Sequence, residues 1–407
     1  MLKRFSALKQ DYPRQFWLIF WGQLISVSGM TLVWPFLTIY MREHLQLPLA
    51  TITSLIGLEA IMTVIATLTV GPIMDRIGRK WIMVASLGIN GVVFFLMGFA
   101  NSLTIFAILM VIRGFFGPLF RVGTNTMVAD LIPKERQIDA YSLIRISSNV
   151  GFAFGPAVGG FIAASSFNLS LNISAIFLVV MTFFTAVLLK ETLPALRPIP
   201  TFTGDKAGTG YGKILKDKSF VIFLSGDTLV KMGMIMMFVL LSVYVKENFG
   251  IPENQYGFLM TVNALIGGFL QFPATMITRK YSPSLMLALG AVFYALGLGS
   301  VAFGNSFFHF LISMVILSIG EIILMPTAMT LVARIAPMDM RARYMSLYSL
   351  TMGAAKGVGP VIGGLLNDNI SPAAIWYGGF IMAMMSMSVF LMLHRRQVHL
   401  KVQEAIP

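Results

Sequence analysis

Twelve apolar stretches set the terms for this chain. They run roughly over 16–40, 50–71, 81–100, 103–129, 139–163, 171–189, 219–245, 255–277, 285–304, 307–333, 343–366 and 373–393. A helix of about 20 apolar residues crosses the hydrocarbon core of a bilayer. Lipid offers no partner for an open sheet edge, and these runs are too long and too uniformly apolar to be barrel strands. Composition agrees: 12% of residues are charged, where a soluble domain carries about a quarter. The chain therefore reads as an all-α membrane protein with twelve transmembrane helices, here called spans 1 to 12.

A net charge of +13 raises the possibility of nucleic acid, but its distribution argues against that partner. Six of the thirty Lys/Arg lie between spans 6 and 7. Seven more flank spans 1 to 3: Lys3, Arg4, Lys9, Arg14, Arg76, Arg79 and Lys80. The loops on the other face hold only Arg42 and Lys246. This asymmetry follows the positive-inside rule and places both termini in the cytoplasm of a multi-pass cell-membrane protein. The basic rim matches anionic headgroups of the bilayer. Span 1 is too long for a signal-peptide core and reads as retained. Cysteine is absent, so disulfide and thiol chemistry are excluded. The four histidines lack metal-ligand spacing, and no phosphate-binding loop, H-E-x-x-H or G-x-S-x-G occurs. No cofactor, metal or enzymatic activity is expected, and the chain is expected to act as a monomer.

The chain also repeats itself. "YMREHLQLP" from Tyr40 returns as "YVKENFGIP" from Tyr244, a shift of 204 positions. At the same shift Gly22 meets Gly226, "FANSL" meets "FGNSF", Pro133 meets Pro337, and "GPAVGG" from Gly155 meets "GPVIGG" from Gly359. The expected organisation is a six-helix bundle over 1–189, a basic cytoplasmic linker over 190–218, and a second six-helix bundle over 219–407. Equal halves of like orientation imply a pseudo-two-fold axis along the membrane normal, which suits alternating access to a site near mid-membrane.

Between spans 2 and 3 lies "GPIMDRIGRK", with Gly71, Asp75, Arg76, Gly78, Arg79 and Lys80. It resembles the signature loop of the major facilitator superfamily, G-x-x-x-D-R-x-G-R-K, and the duplication extends that resemblance over nearly the whole chain. The resemblance implies the major facilitator fold and a cytoplasmic gate, in which Asp75 caps span 11 and Arg79 pairs with Asp130 at the end of span 4. In the second half only Arg279 and Lys280 remain, with Thr278 read as replacing the acid. Span 4 carries "LMVIRGFFG", similar to the superfamily motif whose arginine is linked to proton transfer, which points to Arg113. Span 5 reads "GFAFGPAVGG". Gly151, Gly155, Gly159 and Gly160 permit close helix approach and Pro156 bends the helix. The stretch resembles the antiporter motif of twelve-span drug:proton exporters.

Leaving aside Asp139 and Arg343 at span ends, eight charged residues fall within spans: Glu59, Arg113, Arg121, Arg145, Asp227, Lys231, Glu321 and Lys356. Such residues face a cavity or a partner. Asp227 and Lys231 stand at i and i+4 on span 7 and can pair, either as a structural bridge or as a carboxylate that alternates between a proton and Lys231. Glu59 and Lys356 lie at similar depth, on spans that pack together in the superfamily, and are read as a second pair. Glu321 sits mid-way along span 10, where a buried carboxylate can exchange protons. Arg113, Asp227, Lys231, Glu321, Glu59 and Lys356 are thus the proton-coupling candidates. A proton moving down about 150 mV yields roughly 3.5 kcal/mol, and a hundredfold concentration of a neutral solute costs about 2.8 kcal/mol.

Thirty-three Phe and twenty-nine Met suit an adaptable, apolar cavity. Gln23, Trp34, Met234 and Asn263 are its candidate lining. The expected function is proton-coupled export of amphipathic drugs or other lipophilic small molecules. Transport of one defined metabolite such as a sugar, transport of a lipid, and a non-transporting receptor or scaffold are the alternatives.

Overall fold

The computed structural model describes residues 12–193, 212, 214–337 and 340–404. The expected linker lies mostly outside the described residues. Those residues form helices and turns with no strand. Among the described residues eleven helices are long and apolar enough to cross a membrane. The twelfth, Arg341–Asn369, carries the Gly-rich stretch and Lys356 of span 11, which make it the least apolar of the long helices.

Local chemistry sets the helix ends. Pro35 sits in a 3-10 turn, Trp34–Phe36, that interrupts span 1 between Thr31 and Leu37; its ring removes a backbone donor. Gly117 and Pro118 divide span 4 into Leu103–Phe116 and Leu119–Leu131. Ser102 and Ser166 cap spans 4 and 6 by accepting the N–H of Ile105 and Leu169, each at 3.3 Å. Asp217 caps span 7 by accepting from Ser219 and Phe220 at 3.0 and 3.1 Å. Gly250, with φ +65°, ends that helix in the left-handed region.

Two compact units result. The first comprises Met1–Leu45, Leu58–Arg197 and Pro252–Ala264; the second comprises Gln46–Gly57, Pro198–Ile251 and Leu265–Pro407. Within the first, span 1 packs on spans 5 and 6, and span 3 on spans 4 and 6. Within the second, span 7 packs on spans 11 and 12, and span 9 on spans 10 and 12. The pairing is the same after six helices, as the 204-residue repeat requires.

The small residues make the close packing possible. A Cβ on Gly151 would stand 2.8 Å from the carbonyl of Leu24, and one on Gly159 would stand 2.1 Å from that of Leu32. Span 5 thus lies backbone to backbone on span 1. Its other glycine face meets the start of span 8, where Gly160 approaches the carbonyl of Glu253 and Gly257 approaches that of Pro156. In the second unit Asp368 accepts the N–H groups of Leu49 and Ala50 at 3.2 and 2.8 Å, a charged cap on the first turn of span 2.

Candidate functional site

Three clusters of polar side chains stand out against the apolar packing. The first is built on the turn between spans 2 and 3. Gly78 has φ +101°, which lets span 3 restart within two residues of the end of span 2. Arg79 opens span 3 and is 2% exposed. Its Nη2 lies 3.0 Å from Asp75 Oδ1 and its Nε lies 3.2 Å from Asp130 Oδ2. The Asp130 contact is one of charge: Nε makes no hydrogen bond among the described residues. Arg79 therefore joins Asp130 as the superfamily resemblance implies, and Asp75 at the same time.

Two members of this cluster carry no signal in the sequence. Glu191, just after span 6, accepts the backbone N–H of Arg79 at 2.9 Å and of Lys80 at 3.1 Å. The acid at the start of span 3 is thus Glu191, where it meets the positive end of the helix. Thr192 donates to Asp130 Oδ2 at 3.1 Å. Arg76 and Gly71 are exposed, and Lys80 lies 5.0 Å from the Trp81 ring.

The second cluster joins spans 2 and 4. Arg113 donates through Nη1 to Glu59 Oε2, and its guanidinium lies 5.4 Å from the Phe94 ring. Gly114 explains how the helices come so near. A Cβ there would sit 2.5 Å from the carbonyl of Glu59, and Thr63 bonds the Gly114 carbonyl at 3.2 Å. Within the first unit Glu59 pairs with Arg113, a contact that the sequence reading, which set Glu59 against Lys356, did not include. One glycine at the crossing of spans 2 and 4 decides that pairing, and helical periodicity does not report helix crossings.

The third cluster lies in the second unit. Asp227 is 0% exposed and Lys231 is 4% exposed. Lys231 Nζ donates to Asp227 Oδ2 at 2.6 Å and to Thr351 Oγ1 at 2.9 Å. The Thr351 hydroxyl stands 2.7 Å from Asp227 Oδ2 and 2.7 Å from the carbonyl of Tyr348, and its single proton serves one of them at a time. The Tyr348 ring lies 4.1 Å from Lys231 Nζ. Asp227 Oδ1 is buried without a hydrogen-bond partner among the described residues.

The remaining candidates differ in burial. Glu321 and Lys356 are half-buried, while Arg121 and Arg145 are exposed. Gln23 is buried and bonded to Ser148 at 3.0 Å and to Thr124 at 3.4 Å, so it ties span 1 to spans 4 and 5. Trp34 packs edge-on against Phe152, and Asn263 is half-buried on span 8. Met234 is 4% exposed, and Met236 and Met237 are 0% exposed, so this methionine run is buried.

The helix pairing and the loop cluster agree with a family model. The description "Major Facilitator Superfamily" matches residues 19–239 and again 225–406. The chain belongs to the major facilitator superfamily. Among its relatives in that superfamily is a Na(+), Li(+), K(+)/H(+) antiporter of Planococcus maritimus, 24% identical over 398 residues and 91% of each chain. Multidrug resistance protein 1 of Bacillus subtilis (strain 168) is 25% identical over 352 residues, 84% of this chain and 87% of the relative. Among solved structures, the nucleoside transporter NupG superposes with a TM-score of 0.78 at 15% identity, over 94% of this chain and 99% of that one. At that identity the likeness establishes the fold: twelve membrane helices in two six-helix bundles. The superfamily match makes the chain a multi-pass membrane transporter.

Proposed function

We propose that this major facilitator is a proton-coupled exporter of amphipathic or lipophilic small molecules, working as a monomer by alternating access in the cell membrane. The observation that carries the reading is the buried carboxylate of Asp227. One oxygen accepts from Lys231 and stands within hydrogen-bond distance of the Thr351 hydroxyl, and the other has no hydrogen-bond partner among the described residues. A proton arriving at Oδ1 neutralises Asp227 and releases Lys231 from its ion pair. Lys231 then keeps the Thr351 hydroxyl and the face of Tyr348, which lower the cost of leaving a cation in a dry site. Loss of the proton restores the pair. Such a cluster is net neutral when Asp227 is ionised and carries one positive charge when it is protonated, a change of charge that a coupling site requires.

The other parts take supporting roles. Arg79, held by Asp75 and Asp130, serves as a cytoplasmic latch, with Glu191 fixing its helix. Arg113 and Glu59 form a second switchable pair. The glycines of span 5 give a smooth surface on which helices slide. A relative named as a cation/proton antiporter supports antiport, and one named as a multidrug resistance protein supports the substrate class.

Proteoliposomes test the reading. With an imposed pH gradient, lipophilic cations should be accumulated against their own gradient, and adding them should release protons. Response to a single sugar, or to sodium and potassium alone, would replace the substrate class. Transport that ignores the pH gradient would remove proton coupling.

A further inference from the structure

The second half of the chain contains a counterpart of the gate cluster, and its charges are reversed. The helix ends set the register. Gly78 precedes span 3 and Ser282 precedes span 9, 204 positions apart. At that shift Arg279, and not Thr278, stands where the first half has Asp75; Pro283 replaces Arg79, and Arg334 replaces Asp130. The sequence reading that placed Thr278 opposite the acid is one residue out of register with the helix caps.

The consequence is physical. In the first half two carboxylates flank one guanidinium. In the second, two guanidiniums flank a position whose cation has become proline. Arg279 and Arg334 both line one small, open cleft of about 40 Å³, together with Thr275, Thr278, Thr330 and Tyr281. No acidic side chain lines it among the described residues. Two like charges facing one cleft repel each other, and an anion between them removes that repulsion. We propose that this cleft binds a phosphate-class oxyanion.

Arginine pairs suit phosphate because their planar forks donate two hydrogen bonds at once. Thr275 and Thr330 now donate to carbonyls of their own helices at 2.8 Å, and their hydroxyls can rotate to a phosphate oxygen. The first turn of span 9 adds its positive helix end. The surroundings point to a phospholipid as the source of the phosphate. Phe272, Ile277 and Met329, on the same two helices, are 73%, 60% and 52% exposed, so acyl chains have apolar surface beside the cleft. The cleft also adjoins the last turns of span 12, where His394 meets Ser282 and Ser284 at 3.2 and 3.0 Å. Arg395 and Arg396 follow His394 in the sequence, a basic stretch of the kind anionic headgroups favour.

Native mass spectrometry of the full chain in neutral detergent tests this with phosphatidylglycerol, phosphatidylcholine and inorganic phosphate as probes. Wild type should retain phosphatidylglycerol over phosphatidylcholine, and the Arg279→Gln/Arg334→Gln double variant should bind it about tenfold or more weakly. Binding of inorganic phosphate that the double variant loses, with no preference for the lipid, supports the same site with a soluble source. Equal retention of both lipids by wild type and double variant, without phosphate binding, overturns the proposal. So does a Lys280→Gln variant that loses as much as the double variant, because the effect is then one of rim charge. In anion-free buffer the double variant should melt at or above the wild-type temperature, since like charges have been removed. A marked fall would assign the two arginines to a structural contact instead.

Discussion

Glu59 and Arg113 are bonded to each other across the contact of spans 2 and 4, and both side chains are mostly buried, at 19% and 10% exposure. Removing one partner leaves an uncompensated charge, which costs about 3–5 kcal/mol at a buried site. Glu59→Gln and Arg113→Gln should each lower the melting temperature strongly. The double variant should be less damaged than the sum of the two, with an interaction energy of about 0.5–3 kcal/mol in a double-mutant cycle. Additive losses in thermal melts would show that the pair is not energetically coupled.

The two glycines of the signature loop should respond differently. Gly78 has φ +101°, and a Cβ there would fall 2.3 Å from Glu191 Oε2. Gly78→Ala should destabilise the protein by about 1–3 kcal/mol and displace Glu191 from the end of span 3. Gly71 lies in the helix Leu49–Ile77 with nothing within 4 Å of its Cβ direction. Gly71→Ala should leave stability unchanged or raise it by about 0.5–1 kcal/mol. Melting curves of the two variants, in the reverse order, would refute this.

Glu191 accepts two backbone N–H groups at the start of span 3. Glu191→Gln retains an acceptor and loses the charge, so it should cost about 0.3–2 kcal/mol, the range for a charge at a helix terminus. Glu191→Ala should cost more, because the two donors lose their partner. Hydrogen exchange at Arg79 and Lys80 should quicken in the alanine variant. Unchanged exchange there would mean that the cap is not holding the helix.

Asp227 and Lys231 separate structure from coupling. Asp227→Asn leaves Lys231 buried and unpaired and should lower both stability and transport. Asp227→Asn/Lys231→Met removes both charges and should recover most of the stability, since a buried pair can be replaced by neutral groups at little cost. The double variant should still exchange labelled substrate between equal concentrations and fail to respond to a pH gradient. A wild-type response to the gradient in that variant would take proton coupling away from this pair.

Spans, repeat and loop signature were legible in the sequence because each is a local property. Twenty apolar residues declare a membrane helix whatever surrounds them. A 204-residue register survives in Tyr40 and Tyr244 without reference to packing. Asp227 and Lys231 were legible as a pair because one helical turn puts i and i+4 on one face. Arg79 and Asp130 were reached through a resemblance carried by a short motif.

Tertiary structure alone decided what met these residues. Glu191 and Thr192 entered the gate cluster, and Thr351 and Tyr348 entered the Asp227 cluster, through helix contacts between segments distant in sequence. Gly114 gave Arg113 to Glu59 by letting two backbones approach. Met234 is buried, a fact that its chemistry alone does not report. Helical periodicity records which side of a helix a residue occupies; what that side faces depends on where glycines allow helices to touch, and the folded chain settles it.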